Sequence, residues 1–263
     1  MKITYRWLGA AGVELSCGDQ TLLIDPFFTR PSLAKMLTNS RVQPDAALVK
    51  TYLPRADWIL VSHSHYDHLL DVPNIMRQFG AAAVGSANTC QILRLSGLPE
   101  HQIRLIQAGS ELEFGPFHIH VLPSWHIRTP IDFMIKGPLA RNLRLPLRLA
   151  DYKMDVDFSF LIQVGPWRIL VGNEPVGPVD MVFTMPFCPL DRLAALLKQA
   201  CPPLVCPIHW ENFNRPLTQP LTPTPFRRNP LLSFHRRVQE LSPISQVLLP
   251  VILEEYQLPP APA

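Results

Sequence analysis

Charge is scarce in this sequence. Only 17% of its 263 residues are Asp, Glu, Lys or Arg, against about 25% in an ordinary soluble domain. Twenty-four basic residues against 21 acidic ones leave a net charge of +3. So small an excess argues against the broad basic surface that nucleic-acid binding draws on, and nucleic acid is disfavoured as a partner. Arginines do gather at Arg141, Arg144 and Arg148, and again at Arg227, Arg228, Arg236 and Arg237. These clusters read as solvated faces or, more sharply, as a rim that attracts an anionic group. Long apolar runs are missing as well. No stretch reaches the roughly 18 residues that a membrane-crossing helix needs, and the first residues lack the apolar core of a signal peptide. A soluble, cytoplasmic protein is the expectation. Five cysteines, Cys17, Cys90, Cys188, Cys201 and Cys206, are an odd number without C-x-x-C spacing. That argues against a disulfide framework and against a thiolate metal site, so they read as small buried apolar residues. The Gly-rich phosphate loop, the G-x-G-x-x-G dinucleotide turn and the G-x-S-x-G nucleophile elbow are also absent.

What is plentiful is proline, 29 residues, alongside 47% hydrophobic residues. The chain is long enough for one large domain with a sizeable core, interrupted by many loops. Short alternating runs at 3–8, 12–16 and 21–24, broken by Gly9, Gly12 and the Cys17, Gly18, Asp19 turn, predict an opening β-meander. Residues 32–53 read as irregular or weakly helical, and 58–61 as a buried strand. Helices are predicted near 73–79 and 87–95, with a strand at 82–84 between them. Strands resume at 103–106, 111–114, 117–122, 158–164 and 167–171. Then come a strand at 181–184, an amphipathic helix at 191–200, a strand at 204–208 and a helix at 231–241. Residues 246–253 are expected to close a sheet, the proline-rich 217–230 stretch to lie on the surface, and 259–263 to fray. The segment 127–156 has no clean period and reads as an insertion over the site, acting as a lid. Strands followed by helices in both halves suit a layered α/β (α+β) sandwich.

The 58–61 strand runs straight into His63-x-His65-x-Asp67-His68, four metal-competent side chains within six positions. Neutral imidazoles and a carboxylate suit Zn²⁺ and related divalent ions, with manganese and iron as further candidates. His63 and His65 can point to one ion while Asp67 and His68 continue round the bend towards a second. Asp67 is also the candidate base or proton carrier.

With the runs Trp7-Leu8-Gly9-Ala10-Ala11-Gly12-Val13 and Leu22-Leu23-Ile24-Asp25-Pro26 ahead of that cluster, the chain resembles the metallo-β-lactamase superfamily. The likeness is to the hydrolase branch that includes ascorbate-6-phosphate lactonases and N-acyl-phosphatidylethanolamine phospholipases. The resemblance implies a four-layer αββα sandwich over nearly the whole chain and a centre of one or two zinc ions. It also implies a metal-bound hydroxide that attacks an ester, lactone, amide or phosphodiester of a small molecule. His126 then corresponds to the third ligand of the first ion, and His209 to the last ligand of the second. Asp25 corresponds to an acidic residue beneath the site that orients a ligand. Two departures stand out. Asn173 occupies the position of the aspartate that bridges both ions, and an amide offers one neutral oxygen in place of a charged pair. The centre then carries one more unit of positive charge, and Glu174 is the obvious rescue, provided the chain has already turned. Ala10 stands where the lactonase-like branch often has histidine or glutamine, which weakens any inference about substrate. A nucleic-acid or cyclic-nucleotide phosphodiesterase and a catalytically weakened metal-binding protein are the competing readings.

His118 and His120 read as an exposed sheet face, and His101 and His235 are not assigned to the metal. Trp125, Trp210 and Phe213, with Phe133, Met134, Leu143 and Leu145 of the insertion, either line a hydrophobic pocket or pack as core. Tyr66 faces substrate or packs.

Overall fold

The computed structural model describes residues 2–225 and 229–258, so Arg227, Arg228 and the 259–263 tail lie outside the described residues. The chain opens as an antiparallel meander of β1 (Ile3–Gly9), β2 (Gly12–Cys17) and β3 (Gln20–Ile24). Two short helices follow, α1 (Leu33–Leu37) and α2 (Ala46–Tyr52), where the sequence suggested weak helix, each started by a capping side chain, Ser32 or Asp45. Strand β4 (Trp58–Leu60) then pairs parallel with β3. Helices α3 (Tyr66–Leu69) and α4 (Val72–Phe79) lead to β5 (Ala82–Gly85), and α5 (Ala87–Leu95) leads to β6 (Ile103–Leu105), both strands added in parallel. Parallel neighbours need such crossovers, and the helices supply them.

The second half repeats the plan. Strands β7 (Glu111–Phe114), β8 (Phe117–Pro123), β9 (Phe158–Val164) and β10 (Trp167–Val171) form an antiparallel run, with the insertion and its one-turn helix α6 (Asp132–Ile135) between β8 and β9. Strands β11 (Met181–Thr184), β12 (Leu204–Pro207) and β13 (Gln246–Val247) then add in parallel, with α7 (Leu190–Ala200) and α8 (Pro230–Leu241) as crossovers. The last strand, β14 (Glu255–Gln257), returns to the first sheet beside β1. Of the closing strand expected at 246–253, only Gln246–Val247 forms, on the second sheet, while β14 beyond that range joins the first.

Each sheet has seven strands, and the alternation of side chains along them builds the layers. On β3, Leu22 and Ile24 enter the core between the sheets while Leu23 joins the helices outside. On β11, Met181 and Phe183 point inward while Val182 meets Leu196 and Ala200 of α7. Truncating one such fully buried leucine, Leu22→Ala, is expected to cost about 2–5 kcal/mol. The architecture is the αββα sandwich. Four cysteines are buried as expected, but Cys201 is exposed, where the chain leaves α7 in the left-handed region at φ 42°.

The insertion is anchored at its base. Leu139, Leu147, Leu149 and Tyr152 are buried against the helices of the first half. Its tip is not: Ile131 and Phe133 are 51% and 80% exposed.

Candidate metal centre

Beyond β4 the chain stays extended, with Val61 N donating to Val84 O and Ser62 N to Asp25 Oδ1. In extended backbone His63 and His65 fall on the same side. The single turn of α3 then begins, His68 N and Leu69 N both donating to His65 O, and swings Asp67 and His68 away from that line. From the second half, β8 delivers His126 and β12 delivers His209 to the same mouth. The result is two groups of donors, His63, His65 and His126 in one and Asp67, His68 and His209 in the other, each with its ligand atoms within 4.8 Å of one another. The rings of His63 and His68 lie 3.9 Å apart, so the two groups adjoin.

Both groups are braced from behind. Asp25 Oδ2 lies 2.9 Å from His68 Nδ1 and accepts from Ser62 Oγ at 2.6 Å. Ser62 Oγ in turn lies 3.1 Å from His63 Nδ1 and 3.2 Å from His68 Nδ1. His65 Nε2 is held at 3.2 Å by the carbonyl of Ile135 in the insertion, and Asp67 Oδ2 lies 3.1 Å from His209 Nε2. His209 sits at φ 60°, an uncommon conformation for a non-glycine residue. It is fixed there by a hydrogen bond from its N to Ala10 O, 2.8 Å.

Ala10, fully buried at φ 45°, works through its backbone. Its oxygen also accepts from Trp7 Nε1 and its nitrogen donates to Glu211 Oε1 at 2.6 Å. Glu211 pairs with Arg30 at 2.8 Å, both side chains almost wholly buried. Gly9 makes room for the pair, since a Cβ on it would stand 2.2 Å from Arg30 Nη2.

The electrostatics follow from burial and crowding. Burial, then neighbouring histidines, holds His63 well below its ordinary value, and burial brings His65 down to about 4. Burial opposes ionisation of Asp67, but His68 and His209 outweigh it and hold the carboxyl far below its usual range. Burial likewise opposes protonation of His68, yet Asp25 and Asp67 push it up to about 9. A divalent ion at this place competes with the His68 proton.

Asn173 lines the cavity of ≈ 70 Å³ beneath the two groups, together with Asp25, Asp157 and Thr184. Its Oδ1 accepts from Thr184 Oγ1 at 2.7 Å and its backbone N donates to Ser159 Oγ at 3.0 Å. Gly172 before it, at φ 136°, permits this close seat, because a Cβ there would lie 2.2 Å from Ser159 Oγ. Glu174 is half-buried and outside the cavity lining. β10 ends at Val171 and the chain bends at Gly172 and Asn173, so Glu174 lies past the strand.

Two groups escaped the sequence reading: Ser62, a serine before the histidines, and Asp157. Asp157 Oδ1 lies 3.2 Å from His63 Nδ1, and burial pushes its carboxyl up to about 7. The only sequence signal was an acidic residue directly ahead of a strand. The aromatic pocket, in contrast, is mostly packing. Trp210 stacks on Trp7, Tyr66 packs edge-on to Phe27, Trp125 joins an outer cluster and Leu143 the helical one. Phe213, edge-on to His209 at 5.1 Å, is the member that stays at the site. Phe133, Met134 and Leu145 are exposed. His118 and His120 face Glu113 and Glu111 across the β7/β8 hairpin on an exposed face, and His101 and His235 are exposed elsewhere.

Residues 20–142 match the profile of a β-lactamase superfamily domain. Over its full length the fold is similar to YhfI of Bacillus subtilis, a metallo-β-lactamase fold protein, with a TM-score of 0.58, 14% identity and coverage of 98% of this chain and 100% of that one. The fold is the metallo-β-lactamase fold. Igni18, a metallo hydrolase of Ignicoccus hospitalis, superposes with a TM-score of 0.63 at 14% identity over 98% of this chain and 99% of its own. At that identity the likeness is one of fold. A metal-dependent hydrolase of Carboxydothermus hydrogenoformans is 27% identical over 221 residues, covering 81% of this chain and 86% of that protein.

Proposed function

We propose that this protein is a metal-dependent hydrolase of the metallo-β-lactamase superfamily, acting on an ester, lactone, amide or phosphodiester of a small molecule. The observation that carries the reading is the pair of adjoining donor groups, five imidazoles and one carboxylate converging at one mouth between the sheets. That donor set fits zinc, and manganese or iron as alternatives. His63, His65 and His126 would hold one ion, and Asp67, His68 and His209 a second. A bound divalent ion supplies Lewis acidity and lowers the pKa of water towards neutrality.

The protein's own part is positioning and proton handling. Asp25 and Ser62 fix the ring of His68, while Ile135 O fixes that of His65, so the donors are preorganised. Asp67, between His68 and His209, is the carboxylate placed to accept and pass on a proton. The insertion acts as a lid whose tip carries Phe133. Its base is held by Asn88 Nδ2, which donates to Gly137 O and Lys153 O at 2.9 and 2.7 Å. Such a lid selects substrates at its tip and does not swing as a whole.

An anionic substrate group has thinner support. Arg148 donates to Asn39 O and Arg237 to the carbonyls of Pro186 and Cys188, so both are engaged in structure. A cytoplasmic location suits the free thiols, and among the described residues no helix is long and apolar enough to cross a membrane.

The test combines elemental analysis of the purified protein with turnover of generic esters, lactones, amides and bis-phosphodiesters. Metal-dependent turnover that disappears in His63→Ala is expected. A protein that takes up no divalent ion defeats the proposal, and one that binds metal without any turnover favours the weakened member that Asn173 suggests.

A further inference from the structure

Asn173 removes the carboxylate that a two-ion centre would have at that position, yet another carboxylate lies one strand away. The β9/β10 pairing sets Val171 opposite Phe160. Past the end of β10, Asn173 N donates to Ser159 Oγ at 3.0 Å, and Asp157 stands two residues before Ser159 in the chain. Asp157 and Asn173 line the same cavity. Asp157 is also firmly seated. Ser124 N donates to its carbonyl at 3.0 Å, and Phe158 N donates to Ser62 O at 3.1 Å, which fastens the start of β9 to the segment that carries His63.

The orientation of the His63 ring says what this carboxylate does. Its Nε2 faces the other donors, 3.0 Å from His65 Nδ1, whereas its Nδ1 faces Asp157 Oδ1 at 3.2 Å. Ser62 Oγ competes for Nδ1 only as an acceptor, because its own proton goes to Asp25. A ligating imidazole that donates its other N–H to a carboxylate becomes a stronger donor and is fixed in tautomer and angle. The two groups thus mirror each other, with Asp25 behind His68 and Asp157 behind His63. Asn173, with its oxygen turned to Thr184, is seated without serving as a charged ligand.

We propose that Asp157 is the charge-compensating partner of Asn173: bracing His63 from behind, it returns to the centre the negative charge that position 173 lacks. The inference rests on the metal-dependent reading above. Asp157 is a positioning residue, acting through His63, and residues 157 and 173 form one functional pair.

A double-mutant cycle tests it. Wild type, Asp157→Asn, Asn173→Asp and the double variant are stripped and titrated with Zn²⁺ against a chromophoric chelator, with Co²⁺ absorption reporting ligand geometry and apo melting temperatures reporting folding. Asp157→Asn is expected to weaken the tighter site about 10- to 100-fold without lowering the apo melting temperature, since a neutral amide replaces a buried carboxylate. Adding Asn173→Asp should recover at least about tenfold of that loss, a larger gain than it gives alone. Should Asp157→Asn fold poorly, Asp157→Ser enters the same cycle. Equal Zn²⁺ affinity for wild type and Asp157→Asn, or equal gains from Asn173→Asp in both backgrounds, overturns the pairing alone. A wild type that takes up neither Zn²⁺ nor Co²⁺ overturns the metal reading itself.

Discussion

The two donor groups hold the same number of side chains but are built in different ways. His63 and His65 are neighbours on one extended segment, so local backbone geometry aims both, and only His126 has to be brought in. The second group takes Asp67 and His68 from a one-turn helix and depends on His209, which reaches the site through a left-handed residue pinned to Ala10. Both groups therefore take a local pair from residues 63–68, the first from extended backbone and the second from a helical turn. Each group is completed by one histidine from the second half, and Asn173 lines the cavity that members of both share.

That contrast can be broken most severely by His63→Ala. This change is expected to remove one equivalent of metal and, because the ring adjoins His68, to lower hydrolysis by more than the ~100-fold typical of residues behind the ligands. An unaltered metal stoichiometry would strike His63 from the ligand set. His209→Ala should lose the second equivalent while the first stays bound, as measured by stoichiometric titration. If both equivalents vanish together, the groups are one cooperative unit and the distinction drawn here fails. Asp25→Asn, which leaves every donor in place, is expected to weaken the His68 group about 10- to 100-fold in chelator competition. Smallest is Phe133→Ser at the exposed tip of the insertion. Metal content and melting temperature should not move, and KM alone should change, because the side chain makes no buried contact. A change in metal affinity here would show the tip coupled to His65 through Ile135.

The same contrast explains what the sequence disclosed. The histidine cluster, His126 and His209 were legible because each follows an apolar strand, and strand ends face one rim of a sandwich. Residues 63–68 carried their geometry in their spacing. Asp157 was not legible, since its meaning depends on the pairing of β9 with β10 and on the seat of Ser62, contacts that no local window contains. Of the two readings open for the aromatic set, packing holds for most members. Trp125, Trp210 and Tyr66 flank ligands in sequence, but Trp210 stacks on Trp7, Tyr66 packs against Phe27 and Trp125 joins an outer cluster, contacts that adjacency to a ligand does not reveal.

The buried pair of Arg30 and Glu211 sets a timetable for the centre. Glu211 is made 181 residues after Arg30, so during synthesis the guanidinium and the Gly9–Ala10 turn wait for a partner at the far end of the chain. Removing either partner afterwards strands a buried charge and is expected to cost about 3–5 kcal/mol. Since Ala10 also receives His209, the last donor arrives with the contact that seals the halves. Full metal loading then marks a finished molecule, and a growing chain would be limited to the part of the centre that its first half can assemble.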